Sequence, residues 1–256
     1  MVWMRRIDYR NPLEAKAKVA IAGFPGIANV GEQVLTYLIK ELNASLVSKI
    51  YSEYLIFPGN MVGISVSSDG SFSLPAVSVF KIPDSELALV TSDVQPVIWG
   101  GMEVAAEVFK VLRQMGVNKV VIITGFVDEN LAGQVLVTGE DEDLVESLLK
   151  NGAIEKSVIK SVIGLAGVMM TVAKLEGVKV TSLTGVSPDY SPDPRAAREV
   201  LKVLDGAFNL KINFEQIDKQ IEELEKVRKE ILAEIERRLK EQMQAGGPDE
   251  SSEYVG

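Results

Sequence analysis

Apolar residues in this chain follow two rhythms. Short runs rich in β-branched residues, at 18–22, 61–66, 87–91, 119–123 and 178–183, predict buried strands. Between them, apolar positions recur every three or four residues: Val34, Leu35, Leu38, Ile39 and Leu42 within 31–42, then Val104, Ala105, Val108, Val111 and Leu112 within 101–115. That spacing predicts helices with one face turned to a core. The two rhythms alternate as βαβ, with Gly116-Val117-Asn118 as a short connection. Residues 1–210 are therefore expected to form one α/β domain, with helices on both faces of a mainly parallel sheet. The stretch 54–79, punctuated by Pro58-Gly59-Asn60 and Asp69-Gly70-Ser71, reads as an antiparallel hairpin set into that plan.

The pattern changes near the C-terminus. Asp193 is placed to cap a helix with Pro194 at its first position and Ala196, Ala197, Val200, Leu201 and Leu204 on one face. Residues 211–244 then predict a long amphipathic helix. Phe214, Ile217, Ile221, Leu224, Ile231, Ile235 and Leu239 follow the three- and four-residue steps of a coiled coil, interrupted at Arg228, amid dense Glu, Lys and Arg. A helix of about 30 residues is roughly 45 Å long, more than its own domain can cover. Ile217, Ile221, Leu224, Ile231, Ile235 and Leu239 are accordingly the expected partner-binding residues. Residues 245–256 carry no apolar anchor before Tyr254 and Val255 and read as a flexible tether that presents those two to a partner.

Composition narrows the functions available. Of 256 residues, 46% are hydrophobic and 25% charged, enough for a substantial core. The net charge of -9 repels phosphate backbones, so no nucleic-acid partner is expected. Cysteine is absent, which removes disulfides and thiol chemistry, and histidine is absent too, which removes the usual general base and the commonest zinc ligand. No apolar run approaches the roughly 20 residues of a membrane span, and the first residues mix Arg5, Arg6 and Asp8 where an export signal needs an apolar run. A cytoplasmic protein with no cofactor, no metal and no membrane is expected.

Three loops at strand ends are candidate chemistry. Gly23-Phe24-Pro25-Gly26-Ile27-Ala28-Asn29-Val30-Gly31 joins a strand to a helix, where amides can cradle a phosphate. It lacks both the Lys of a P-loop and the glycine spacing of a dinucleotide fingerprint. Gly23, Pro25, Gly26, Asn29 and Gly31 thus form either a ligand loop or a tight structural turn. Asp93 and Gln95, in Thr91-Ser92-Asp93-Val94-Gln95-Pro96, sit at another strand end, either facing a ligand or bonding loop amides. Asp128, Glu129 and Asn130 offer oxygen ligands of the kind Mg²⁺ takes, or a solvated loop. Gly164-Leu165-Ala166-Gly167 opens a small-plus-apolar stretch to Leu175, expected to approach the sheet or a second subunit.

In this order, Gly23-Phe24-Pro25-Gly26 with Asn29-Val30-Gly31, Ser92-Asp93-Val94-Gln95-Pro96, Gly164-Leu165-Ala166-Gly167 and Ser191-Pro192-Asp193-Pro194-Arg195-Ala196-Ala197 resemble the proteasome assembly chaperone family, specifically archaeal homologues of the eukaryotic chaperone's second subunit. The resemblance implies a three-layer α/β/α sandwich similar to nucleoside phosphorylases. It also implies a homo-oligomer, possibly ring-shaped, whose C-terminal helical extensions contact clients such as proteasome α-subunits, and no established catalysis. Family members have also been labelled ATP-grasp-like enzymes, which leaves a nucleotide-dependent or phosphorylase-like enzyme using the 23–31 loop as the alternative. A scaffold of the same fold for a non-proteasomal partner is the third reading. Family chaperones that dock on the proteasome are expected to end in a hydrophobic-Tyr-any residue signal. This chain ends Glu253-Tyr254-Val255-Gly256, one residue out of register.

Overall fold

A computed structural model, which describes residues 3–59, 61–66, 68–156 and 158–245, contains eleven strands and six α-helices among those residues. In chain order they are β1 (Met4–Asp8), β2 (Val19–Gly23), α1 (Val30–Glu41), β3 (Ser45–Ser52), β4 (Ser65–Val66), β5 (Phe72–Ser73), β6 (Val77–Lys81) and β7 (Leu87–Ser92). There follow α2 (Gly101–Met115), β8 (Lys119–Val127), β9 (Val135–Gly139), α3 (Glu142–Lys150), β10 (Ile154–Glu155), α4 (Gly164–Leu175), β11 (Lys179–Ser187), α5 (Pro194–Phe208) and α6 (Glu215–Ala245). By its internal contacts the chain divides into two units, Met1–Asn213 and Phe214–Gly256.

The first unit is built on a nine-stranded sheet of order β1-β3-β6-β7-β2-β8-β11-β9-β10. Its centre, β7-β2-β8-β11, is parallel, as the buried apolar runs predict. On one flank β6, β3 and β1 add antiparallel to β7, and on the other β9 runs antiparallel to β11. The sheet is therefore mixed, with a parallel heart.

Side-chain alternation assigns the two faces. Ala20 and Ala22 of β2 and Val120 and Ile122 of β8 join the core that includes Val104, Val108 and Leu112 of α2 and Leu165, Met169 and Val172 of α4. The intervening Ile21, Val121 and Ile123 point the other way and are buried too. That second face is layered by α1, α3 and α5, with α1 and α3 each packing on α5. The result is the three-layer α/β/α sandwich.

Local chemistry starts the helices. Asp193 accepts from the amides of Arg195 (3.0 Å) and Ala196 (3.4 Å), with Pro194 at the first helical position of α5. The buried Asp141 caps α3 by accepting from the Leu144 amide at 3.3 Å. Burial opposes its ionisation. Lys119, 2.6 Å away, and the Leu144 amide outweigh that and hold the carboxyl below its usual range.

The structure corrects the reading of 61–66 as a buried strand. Only Ser65–Val66 is extended in a ladder, and it pairs with β5 in a separate two-stranded sheet. Met61, Val62, Ile64 and Val66 are exposed. The hairpin expected within 54–79 is this small sheet, whereas Val77–Val79 already belongs to the large one. The strand β3 escapes apolar pattern matching because serines occupy its interior: Ser48 and Ser52 are buried, and the Ser48 hydroxyl donates to Asp8 Oδ1 at 2.7 Å.

Candidate functional site

The strand ends β2, β7 and β8 meet at one edge of the parallel centre, where open α/β sheets bind ligands. The 23–31 loop is tightly wound there. A Cβ on Gly31 would stand 2.9 Å from the carbonyl oxygen of Ile123, so the helix α1 approaches the sheet only because this position is glycine. Ala28 and Asn29 both have left-handed backbone with φ of 49°, a strained conformation for alanine. The turn's own groups hold it: Asn29 N donates to Gly26 O at 3.0 Å, Gly26 N to Asn29 Oδ1 at 3.4 Å, and Gln33 Nε2 to Ala28 O at 3.1 Å.

Gln95 ties three of the motifs together. Its Nε2 donates to Pro25 O, and its Oε1 accepts from the Leu165 amide at 2.8 Å. Gly164, just before, has φ of +70°, and a Cβ there would meet Gln95 Oε1 at 3.3 Å. The fourth motif joins when Asp193 N donates to Ala28 O at 3.0 Å. The four motifs, scattered over 170 residues of sequence, thus lock one another into a single cluster by hydrogen bonds.

Asp93 turns elsewhere. Its carboxylate accepts from Ala76 N at 3.0 Å while its amide donates to Ala76 O, so it stitches β6 to β7. Its charge also acts on Glu32 at the start of α1, where burial and then Asp93 push the carboxyl above its ordinary value. Asp128 caps its own turn, accepting from Asn130 N (2.9 Å) and Leu131 N (3.2 Å). Among the described residues there is no cluster of three carboxylates fit for a metal ion.

Over the cluster lies a cavity of about 270 Å³. It is lined by Phe24, Pro25, Gly26, Ile27 and Gly31 of the first loop, by Ile123 to Phe126 at the end of β8, and by a wall of Ile159 with Ser161 to Gly164. Of the candidate ligand residues, Pro25, Gly26, Gly31 and Gln95 line it, whereas Gly23, Asn29 and Asp93 do not. Among the described residues no lining side chain is ionisable. Its polar side chains are Gln95, committed as above, Ser161, and Thr124, whose hydroxyl lies 2.6 Å from that of Thr184. Such a cavity suits a small neutral or apolar group. The wall from 159 to 163 carries no motif, so sequence reading missed it.

The segment 164–175 spends its apolar face inside its own domain: Leu165, Met169, Val172 and Ala173 of α4 are buried against the α2 core. The expected approach to the sheet side is thus made by these four, while Leu175 at the end of the helix is exposed.

The helix α6 shows the complementary case. Ile217 is buried and Ile221 half-buried, while Leu224, Ile231 and Ile235 are exposed. Val227, three residues after Leu224 and four before Ile231, is exposed as well and carries the stripe past Arg228. The sequence reading overlooked it, although the three-residue step was the signal. Leu239 lies on this helix with its side chain outside the described residues, as are Tyr254 and Val255. No helix among the described residues is long and apolar enough to cross a membrane.

Residues 20–232 match the model of the PAC2 family. The chain belongs to the PAC2 family. An uncharacterised protein of Methanocaldococcus jannaschii is 26% identical over 258 residues, covering 98% of this chain and 96% of the relative. Among solved structures, Pyrococcus furiosus PbaB, an archaeal proteasome activator, is 26% identical with a TM-score of 0.78, covering 90% of this chain and 99% of that one. P. furiosus PbaA, an archaeal homologue of proteasome-assembly chaperone, superimposes with a TM-score of 0.75 at 20% identity, covering 94% and 97%. The resemblance to the proteasome assembly chaperone family read from the four motifs therefore holds, and the motif cluster is where this PAC2 fold is locked.

Proposed function

We propose that this PAC2 protein is a non-enzymatic, homo-oligomeric assembly chaperone or activator of cytoplasmic proteasomes, which contacts its client through α6 and the tail that follows. The observation that carries the reading is the stripe Leu224, Val227, Ile231 and Ile235, apolar and exposed on a helix otherwise dense in charge. Solvent gives no reason to keep four such residues in line, and a partner's groove does. Likeness to a protein described as an archaeal proteasome activator points to the kind of client. The strand-end cavity supports the non-enzymatic part, since its uncharged lining offers no general acid or base and no cation for a phosphate.

Surface plasmon resonance of the full chain over an immobilised archaeal core proteasome tests this. Saturable binding is expected, weakened at least tenfold by Ile231→Ser combined with Ile235→Ser. Absence of binding would favour a scaffold for another partner. Saturable binding of ATP, a nucleoside or phosphate that Gly26→Trp abolishes would replace the reading by the enzymatic one.

A further inference from the structure

One region of the first unit stands out by what it lacks. From Tyr54 to Phe80 the sequence carries a single charge, Asp69, and from Val94 to Met102 none, in a chain where 25% of residues are charged. The fold brings these two stretches together. Leu55 bridges to Pro96, and Val97 N donates to Tyr54 O at 2.9 Å. From that root the arm leaves the sheet: Phe57 and Met61 exchange backbone bonds of 2.8 and 3.2 Å, and β4 pairs with β5 alone, with Val66 opposite Phe72.

The arm and the adjacent turn are apolar and open. Val62 is 88% exposed, Phe72 71%, Ile98 94% and Trp99 75%. Met61, Ile64, Val66, Leu74 and Met102 are exposed beside them. A two-stranded sheet with nothing on its apolar side is marginal in water, so this arm needs a cover that the described residues of its own chain do not supply.

We propose that this surface is where one copy of the chain packs on another. The inference rests on the homo-oligomeric part of the reading above and says which face makes the contact. Two quantities favour a second copy. The nine exposed side chains offer roughly 1,000 Å² per copy, against the about 800 Å² per partner of a standard stable interface. Each copy also carries a net charge of -9, so two copies repel except where charge is missing, and this is the charge-poor face. Burying it desolvates few ions, Asp69 within the arm and Glu53 and Glu103 at its root beside Tyr54.

Light scattering of the full-length chain gives the first answer. The wild type is expected well above 27.9 kDa, and Val62→Glu combined with Trp99→Glu is expected to fall to the monomer with an unchanged circular dichroism spectrum. Both side chains are exposed in the single chain, so the substitutions leave its core intact. A wild-type monomer would sink the homo-oligomeric reading itself. An assembly that survives both substitutions would sink only this surface and leave that reading standing. Labelling covers the case of a variant that folds poorly. The chain has no cysteine, so Val62→Cys and, separately, Glu86→Cys each create one thiol. In the intact assembly Val62→Cys is expected to react with a maleimide at least tenfold more slowly than Glu86→Cys. Equal rates would mean that the arm faces solvent or a different partner, and the inference falls.

Discussion

Helices α2 and α6 carry the same kind of apolar rhythm and meet opposite fates. In α2, Val104, Ala105, Val108, Val111, Leu112 and Met115 are all buried, covered by the sheet and by α4. In α6, Leu224, Val227, Ile231 and Ile235 keep their spacing and remain exposed. Periodicity therefore reports that a face wants cover and is silent on where the cover comes from. The arm at β4 and β5 repeats the lesson for strands, since Val62, Ile64 and Val66 alternate as one face of a buried strand would and yet are exposed, in a segment that pairs only into a separate two-stranded sheet.

The sharpest way to break this comparison is to truncate both helices alike. Leu112→Ala should cost about 3 kcal/mol in denaturant unfolding, because a fully buried leucine leaves a cavity. A loss under about 1 kcal/mol would mean that α2 is less tightly covered than its burial says.

Next in size is Gln95→Ala, which removes the clasp between Pro25 O and the Leu165 amide. About 1–2 kcal/mol is expected, together with faster hydrogen exchange at Leu165, since a polar group satisfied within its own domain leaves partners behind. Unchanged exchange at Leu165 would show that the motif cluster is held without Gln95.

Glu32→Gln has a smaller effect of the opposite sign. Burial and the Asp93 charge raise this carboxyl, so ionising it costs stability as pH rises through the raised value, and none of that cost exists below the ordinary carboxylate range. The variant should melt higher than wild type at neutral pH, with the difference gone in acid below about pH 4. An advantage that persists in acid would assign the gain to packing. The smallest expected effect is on α6: Ile231→Ser with Ile235→Ser should move stability by less than about 0.5 kcal/mol, whatever it does to binding. A large loss would place the cover of that stripe inside the chain and erase its contrast with α2.

Which features could be read in advance follows from how local their causes are. The cap at Asp193, the turn at Gly116 and the helical spacing of α1, α2, α5 and α6 depend on neighbours within a few residues, so the sequence alone determined them. The parallel centre was legible for the same reason, because strands buried on both faces must be apolar throughout. Strand order, the antiparallel flanks and the serine-lined β3 were decided only by tertiary structure, since Ser48 is tolerable inside because Asp8, 40 residues away, receives its hydroxyl. The motifs divide the same way. Their order along the chain sufficed for the family, but that Gln95 would tie Pro25 to Leu165 while Asp93, two residues before it, turns to Ala76 depends on hydrogen bonds between distant segments, which no local pattern encodes.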